Sequence, residues 1–504
     1  MATSRRRPRP RDNDGSVRGT LVLVLLLALV AGGVATWRYD LLDGRLDSLF
    51  SGDGPSGGGP GALGDPTSDP VAVPPPPGLE LPEVVRPDPV ATPSSTGGLL
   101  DVTAVRRALA PYLRDPDIGR HVRVAVAPLG GGPVTFASGK QPAMPASTTK
   151  LVTSTAALIA LGPDHVFPTS VRIAPAAGRK ARLTLVGGGD PFLERTPTAT
   201  DGSDWPYPAR ADLTTLAERT AKALHDQGVR RVSLSYDDTL FVGPAVNPRW
   251  EAGYVPGEVA PTSALWVDEA RTITRYTRVP DAGLEAANSY ANALRSAGVD
   301  VMGEPAAQEA PPRSQPLVQV DSAPLGEIVQ RLLDVSDNDA AEVLLRHIGI
   351  AVSGVGSIEA GRRGVRSLLS AAGVGLDGSI LYDGSGLSRS DRMQPGLLID
   401  VLRLAADPTR PELRSVIEGL PVAGFTGSLS SRMDEGPPAG LGRVRAKTGT
   451  LMNVSTLAGV GTDLDGTVFA FVLMADAIKP AESLDARQTL DSAAAALGAC
   501  HCTV

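Results

Sequence analysis

The β-rich runs of this chain lie at the two ends of its folded part, and that placement constrains the fold most. Near the C-terminus, RVRAKTGT (443–450), STLAGVGT (455–462) and TVFAFVLMA (467–475) are separated by turns. The last two are joined by DLDG, a hairpin signal. Far upstream, VRVAVAPL (Val122–Leu129), a glycine turn and PVTFAS (Pro133–Ser138) read as a second hairpin. Helical patterns flank both groups: LLDVTAVRRALAPYL (Leu99–Leu113), a helix opening near Ser147, and an alanine-rich helix over Glu482–Leu497. One antiparallel sheet assembled from both ends of the chain, with helices packed on it, accommodates all of these runs, which makes the fold class α+β.

Between the two ends, 167–316 mixes short β-like runs such as RLTLVGG and RVSLSYDD with helical patterns over Leu213–Gln227 and Leu284–Ala297. It reads as one or two domains inserted into a larger domain made of 99–166 and 317–504. No internal repeat is visible. The 504 residues give ample room for such an arrangement.

The first 98 residues carry an address rather than a fold. Arg5, Arg6, Arg7, Arg9, Arg11 and Arg18 mark a cytoplasmic segment (1–19) ahead of the uncharged run TLVLVLLLALVAGGVATW (20–37). That run is expected to be an uncleaved membrane anchor, with a signal peptide as the alternative; either way the rest is exported. Residues 38–98, rich in Gly and Pro, read as a tether. The net charge of −7 argues against nucleic acid as a partner. The five histidines are scattered, so neither a His-based metal site nor a Ser-His-Asp triad has a nucleus to form around. Cys500 and Cys502 sit in the terminal GACHCTV. A frayed tail is the expectation for them, ahead of a strained disulfide or a metal site with His501.

Positive charge here is nearly all arginine. Of 48 basic residues only six are lysines: Lys140, Lys150, Lys180, Lys222, Lys447 and Lys479. Four read as ordinary surface residues. Lys150 follows Ser147 by three positions at the mouth of an apolar helix, so the two side chains share a face, and a desolvated lysine can lose its proton where arginine cannot. A neutral amine there can activate the serine hydroxyl. Ser336-Asp337-Asn338 interrupts two helical stretches and sits on a tight connection; alone it reads as a helix cap. Lys447-Thr448-Gly449-Thr450 lies on a β-run whose glycine suggests close backbone approach. Each piece is weak singly.

Together and in this order, SxxK, SxN and KTG are the signature of the penicillin-recognising serine acyltransferases. The chain resembles the class C low-molecular-mass penicillin-binding proteins, D-alanyl-D-alanine carboxypeptidases/endopeptidases, over roughly Leu99–Gly498. LTLVGGGDPFL (183–193), YDDTLF (236–241), YDGSGLSR (382–389) and LPVAGFTGSL (420–429) add to the likeness. The spacing from Ser147 to Ser336 is too long for a compact β-lactamase and leaves room for that branch's inserts. The resemblance implies a penicillin-binding/serine β-lactamase-like transpeptidase fold with inserted domain(s). It also implies hydrolysis of peptidoglycan stem peptides through an acyl-enzyme on Ser147, inhibition by β-lactams, and no metal or organic cofactor. Lys150 would take the serine's proton, Ser336 would relay a proton to the leaving amine, and Asn338 would hold the substrate amide. The N–H groups of Ser147 and Thr450 would form the oxyanion hole, and Thr448, Gly449 and Thr450 beside Lys447 would bind the terminal carboxylate. Arg389 is expected near the cleft in a structural role. The alternatives are a β-lactamase or esterase of the same fold, and a non-catalytic wall-binding protein.

Overall fold

The computed structural model describes residues 98–504, apart from 140, 176–179, 199–206 and 275–276. The Arg-rich segment, the apolar run 20–37, nearly all of the tether and Lys140 lie outside the described residues. No helix among the described residues is long and apolar enough to cross a membrane.

Helix α1 (Val102–Leu113) opens the folded chain, its first turn capped by the Asp101 carboxylate, which accepts from the N–H groups of Thr103 and Ala104. Strands β1 (Val122–Pro128) and β2 (Phe136–Ser138) form the expected hairpin. Helix α2 (Thr149–Leu161) follows, then β3 (Pro168–Pro175), β4 (Lys180–Val186), α3 (Leu213–Asp226), β5 (Arg231–Asp237), α4 (Ala282–Ser296), β6 (Asp300–Ala307) and β7 (Gln315–Asp321). A helical group comes next: α5 (Leu325–Val335), α6 (Asn338–Ser353), α7 (Ile358–Ala371) and α8 (Pro395–Ala406). Strands β8 (Val444–Leu451), β9 (Val454–Thr462) and β10 (Val468–Ala475) lead to the closing helix α9 (Ser483–Gly498).

The two ends of the chain do meet in one sheet, of order β2-β1-β10-β9-β8, antiparallel throughout. Alternation along β10 feeds two cores. Phe469, Phe471 and Leu473 pack with α1 and α9, whereas Ala470, Val472 and Met474 pack with α2, α5, α6 and α8. Buried on both faces, this strand reads as an unbroken apolar run. The second sheet, β6-β5-β4-β3-β7, is mixed: β4, β5 and β6 run parallel to one another, while β3 is antiparallel to β4 and β7. It has its own core, with α3 and α4 laid on it.

The tail is not frayed. Leu100 bridges Thr503, the Asp101 N–H donates to the Cys502 carbonyl at 2.7 Å, and Cys502 is only 1% exposed within the core that holds Phe471. Cys500 and Cys502 are joined in a disulfide, and no metal-ligand cluster forms among the described residues. Apolar contact of Leu100 and Cys502 with the sheet's outer core supplies the anchoring that a bare reading of GACHCTV does not reveal.

Candidate active site

Ser147 sits on a 3-10 turn, Ala146–Thr148, just ahead of α2 rather than inside it. Ala146 holds a left-handed φ of 47°, a bend that turns the serine toward the helix it precedes. Gly386 makes room for this bend: a Cβ there would lie 1.9 Å from the Ala146 carbonyl. Lys150, fully buried in the first turn of α2, places its Nζ 2.9 Å from Ser147 Oγ, 2.6 Å from Asn338 Oδ1 and 2.7 Å from the Ser385 carbonyl. A carbonyl and an amide oxygen can only accept. A neutral amine has two N–H groups, one for each, and a lone pair left over that faces the serine hydroxyl.

Burial makes that neutral state accessible. It pulls the Lys150 pKa from 10.5 to about 8, against the opposing pull of Asp383, Asp337, Glu342 and Asp339. Lys447 is equally buried, and its pKa falls well below the ordinary lysine value, first through burial and then through repulsion from Lys150 and Arg432.

Ser336 ends α5 in the left-handed conformation, with φ 64°, and Asp337 caps α6 by accepting from the Ala340 N–H at 2.9 Å. The cap reading of this tripeptide is therefore correct for Asp337, and the cap is what aims its neighbours. Asn338 uses both ends of its amide, accepting from Lys150 and donating from Nδ2 to the Glu258 carbonyl at 2.9 Å.

Strand β8 brings the third piece alongside. A Cβ on Gly449 would lie 2.1 Å from Thr456 Oγ1, 2.8 Å from the Pro145 carbonyl and 3.1 Å from the Ser147 nitrogen. The glycine is thus required by the contact between strand and serine turn. Thr456 Oγ1 adds a bond to the Pro145 carbonyl at 2.8 Å. Thr448 Oγ1 lies 3.1 Å from Ser428 Oγ, and Lys447 Nζ donates to the Thr448 carbonyl at 2.8 Å. Ser147, Ser336, Asn338, Thr448 and Thr450 all line one cavity of about 700 Å³, with Lys150 touching it through Ser147 and Asn338.

The far wall of that cavity comes from a loop that the sequence did not point to: Glu251, Tyr254 and Glu258. Besides the bond from Asn338 to the Glu258 carbonyl, further hydrogen bonds fasten this loop. Trp250 Nε1 donates to Asp383 at 2.8 Å, Asn247 Nδ2 to the Tyr382 carbonyl at 2.8 Å, and the Ala260 N–H to Asp339 at 2.7 Å. Asp383 also accepts from the N–H groups of Gly386 and Ser388, and Glu342 from those of Gly384 and Ser385. These buried carboxyls lock the YDGSGLSR loop so that the Ser385 carbonyl meets Lys150. Arg389 donates to the Met452 carbonyl at 2.9 Å and pairs with Glu251 at 3.4 Å, joining the loop to the end of β8.

The three motifs therefore share one cleft in which an amine able to be neutral faces a hydroxyl. The profile of the D-Ala-D-Ala carboxypeptidase 3 (S13) family matches residues 105–289 and 270–497, through both sheets. The chain belongs to this family. Among the relatives the chain matches, a carboxypeptidase of Mycobacterium tuberculosis is 32% identical over 447 residues, which is 86% of this chain and 90% of that protein. A D-alanyl-D-alanine carboxypeptidase of Actinomadura sp. strain R39 is 30% identical over 438 residues, 71% of this chain and 78% of its own. The crystal structure of penicillin binding protein 4 from Haemophilus influenzae superposes with a TM-score of 0.63 at 21% identity, covering 78% of this chain and 98% of that one. The last likeness is one of fold.

Proposed function

We propose that Ser147 is the nucleophile with which this S13 D-Ala-D-Ala carboxypeptidase opens its substrate. The distance that supports it most directly is the 2.9 Å between Lys150 Nζ and Ser147 Oγ. Lys150 accepts the hydroxyl proton while Oγ attacks the carbonyl between the two terminal D-alanines of a stem peptide. The tetrahedral oxyanion is held by the N–H groups of Ser147 and Thr450, each worth about 3 kcal/mol; the tight packing of Gly449 on the Ser147 nitrogen supports this pairing. Collapse breaks the C–N bond, and Ser336 passes the proton to the departing amine. Asn338 trades its contacts for the substrate amide. Thr448 and Thr450, with Gly449 between them and Lys447 supplying charge, bind the terminal carboxylate. Water then hydrolyses the ester on Ser147. No step calls for a metal or organic cofactor.

A β-lactam offers the same carbonyl and carboxylate and acylates the same serine; a Haemophilus influenzae penicillin binding protein 4 of this fold has been seen with a β-lactam bound. We place the catalytic machinery in 99–166 and 317–504, with 167–316 as the insert that lends the Glu251–Glu258 wall. The apolar run 20–37 anchors the enzyme at the outer face of the membrane, with peptidoglycan as partner. The test is digestion of defined muropeptides by wild type and Ser147→Ala, with products identified by mass. D-Ala release should fall by a factor on the order of 10⁴ or more in the variant; equal release by both proteins overturns the assignment.

A further inference from the structure

Arg278 lies on the returning arm of a short hairpin in which Arg271 bridges Arg278. It does not line the cavity that holds Ser147. Its side chain is only 4% exposed and pairs with Asp339, itself at 3%. The same guanidinium donates from Nη1 to the Pro256 carbonyl at 3.1 Å and, more weakly, to the Gly257 carbonyl at 3.4 Å. Asp339 spends its other oxygen, Oδ1, on the Ala260 N–H at 2.7 Å. A small apolar cluster of Ala260, Trp266, Ala270 and Val343, with Val279 packed against it, joins the same three elements: the wall loop, the hairpin and α6.

These bonds bracket one peptide unit, that between Glu258 and Val259. Pro256 and Gly257 precede it and Ala260 follows it, while its own N–H, from Val259, goes to the Tyr254 carbonyl at 3.2 Å. The carbonyl of this unit accepts from Asn338 Nδ2 at 2.9 Å. A carbonyl can only accept, so it admits the NH2 end of Asn338 and turns Oδ1 to Lys150, 2.6 Å away. With the amide reversed, an N–H would face Lys150 and compete with Ser147 for the lone pair of the amine.

We propose that Arg278 is a positioning residue for acylation: by holding the Glu258 carbonyl in place it fixes the orientation of the Asn338 amide, and through Asn338 the lone pair that Lys150 presents to Ser147. The inference rests on the roles given above to Ser147, Lys150 and Asn338. It gives the insert 167–316 a part in the chemistry that does not require Arg278 to touch the substrate. An arginine suits this task, because its planar fork holds a carboxylate and carbonyls in fixed relative positions, which the compact ammonium of lysine does not. The pair is also exacting: removing one partner leaves the other as a buried charge without compensation.

The test is a double-mutant cycle between Arg278 and Asn338 in the full-length protein, read as the second-order rate constant for acylation by labelled penicillin. Urea unfolding establishes that each variant is folded. Arg278→Met should slow acylation about tenfold or more when Asn338 is present, and by less than about twofold in an Asn338→Ala background. The pair Arg278→Met/Asp339→Asn removes both charges yet keeps an acceptor for the Ala260 N–H; it should show the same pattern and replaces the single variant if that one does not fold. Wild-type acylation by the folded single or paired variant overturns the proposal. So does equal slowing with and without Asn338, because a purely structural role weakens both backgrounds alike. An Asn338→Ala protein that acylates as fast as wild type instead overturns the reading on which it rests.

Discussion

Lys150 Nζ and Asn338 Oδ1 stand 2.6 Å apart although 188 residues separate them in the chain. That contact joins the first motif to the second, and it also decides how the amine spends its hydrogens. Asn338 and the Ser385 carbonyl take the two N–H groups of a neutral amine, leaving its lone pair on Ser147. A protonated Lys150 fills that place with a third N–H and cannot accept the serine's proton.

The pH dependence follows with a definite sign. Burial brings the Lys150 pKa to about 8, so the reactive neutral form is scarce at pH 6 and predominates at pH 9. The second-order rate constant for acylation by a labelled penicillin should rise about tenfold per pH unit below pH 8 and level off above it. A profile that is flat or falling across this range contradicts the role given to Lys150.

Glu342 is expected to shift that profile without touching the substrate. Its carboxyl, raised to about 7 by burial and by the neighbouring Asp383, accepts both the Gly384 and Ser385 N–H groups on a single oxygen, Oε1. Glu342→Gln keeps an acceptor there and removes a negative charge that favours protonated Lys150. The acylation midpoint should move to lower pH by a few tenths of a unit or more, with the plateau rate retained. An unchanged or raised midpoint contradicts it.

Gly449→Ala should be costly both in stability and in rate. The added Cβ meets Thr456 Oγ1 at 2.1 Å and the Pro145 carbonyl at 2.8 Å, and both belong to packed backbone or buried side chain. Overpacking of this kind costs about 1–3 kcal/mol, and relief by moving β8 away from Ser147 opens the proposed oxyanion hole. Urea unfolding should show the first effect and penicillin acylation, slowed about 100-fold or more, the second. Wild-type acylation in this variant contradicts the packing argument.

The sequence was most legible where chemistry is local. β-rich runs separated by turn signals exposed the strands that meet in the first sheet, and the three-residue spacing of Ser147 and Lys150 carried over although the serine sits on a 3-10 turn. Lys222 and Lys479 are indeed exposed, at 81% and 73% for their side chains, while Lys150 and Lys447 are fully buried. What stayed hidden depends on distant partners. Nothing near Glu251, Tyr254 and Glu258 announces a cleft wall, because that loop is placed by Asp383, Asp339 and Asn338, which lie far along the chain. The same holds for Glu342: within α6 it looks like one acidic residue on a helix, and only the folded YDGSGLSR loop gives it two N–H partners. The ordered tail was missed because Cys502 finds its core across the molecule.

The most direct measurement is the mass of the protein and of its peptides after exposure to benzylpenicillin, for wild type and for Lys150→Met. The account predicts one adduct per wild-type chain, mapped to the peptide containing Ser147, and no adduct at that serine in the variant at pH 8. An adduct on a different residue, or equally fast labelling of Ser147 without the Lys150 amine, contradicts it.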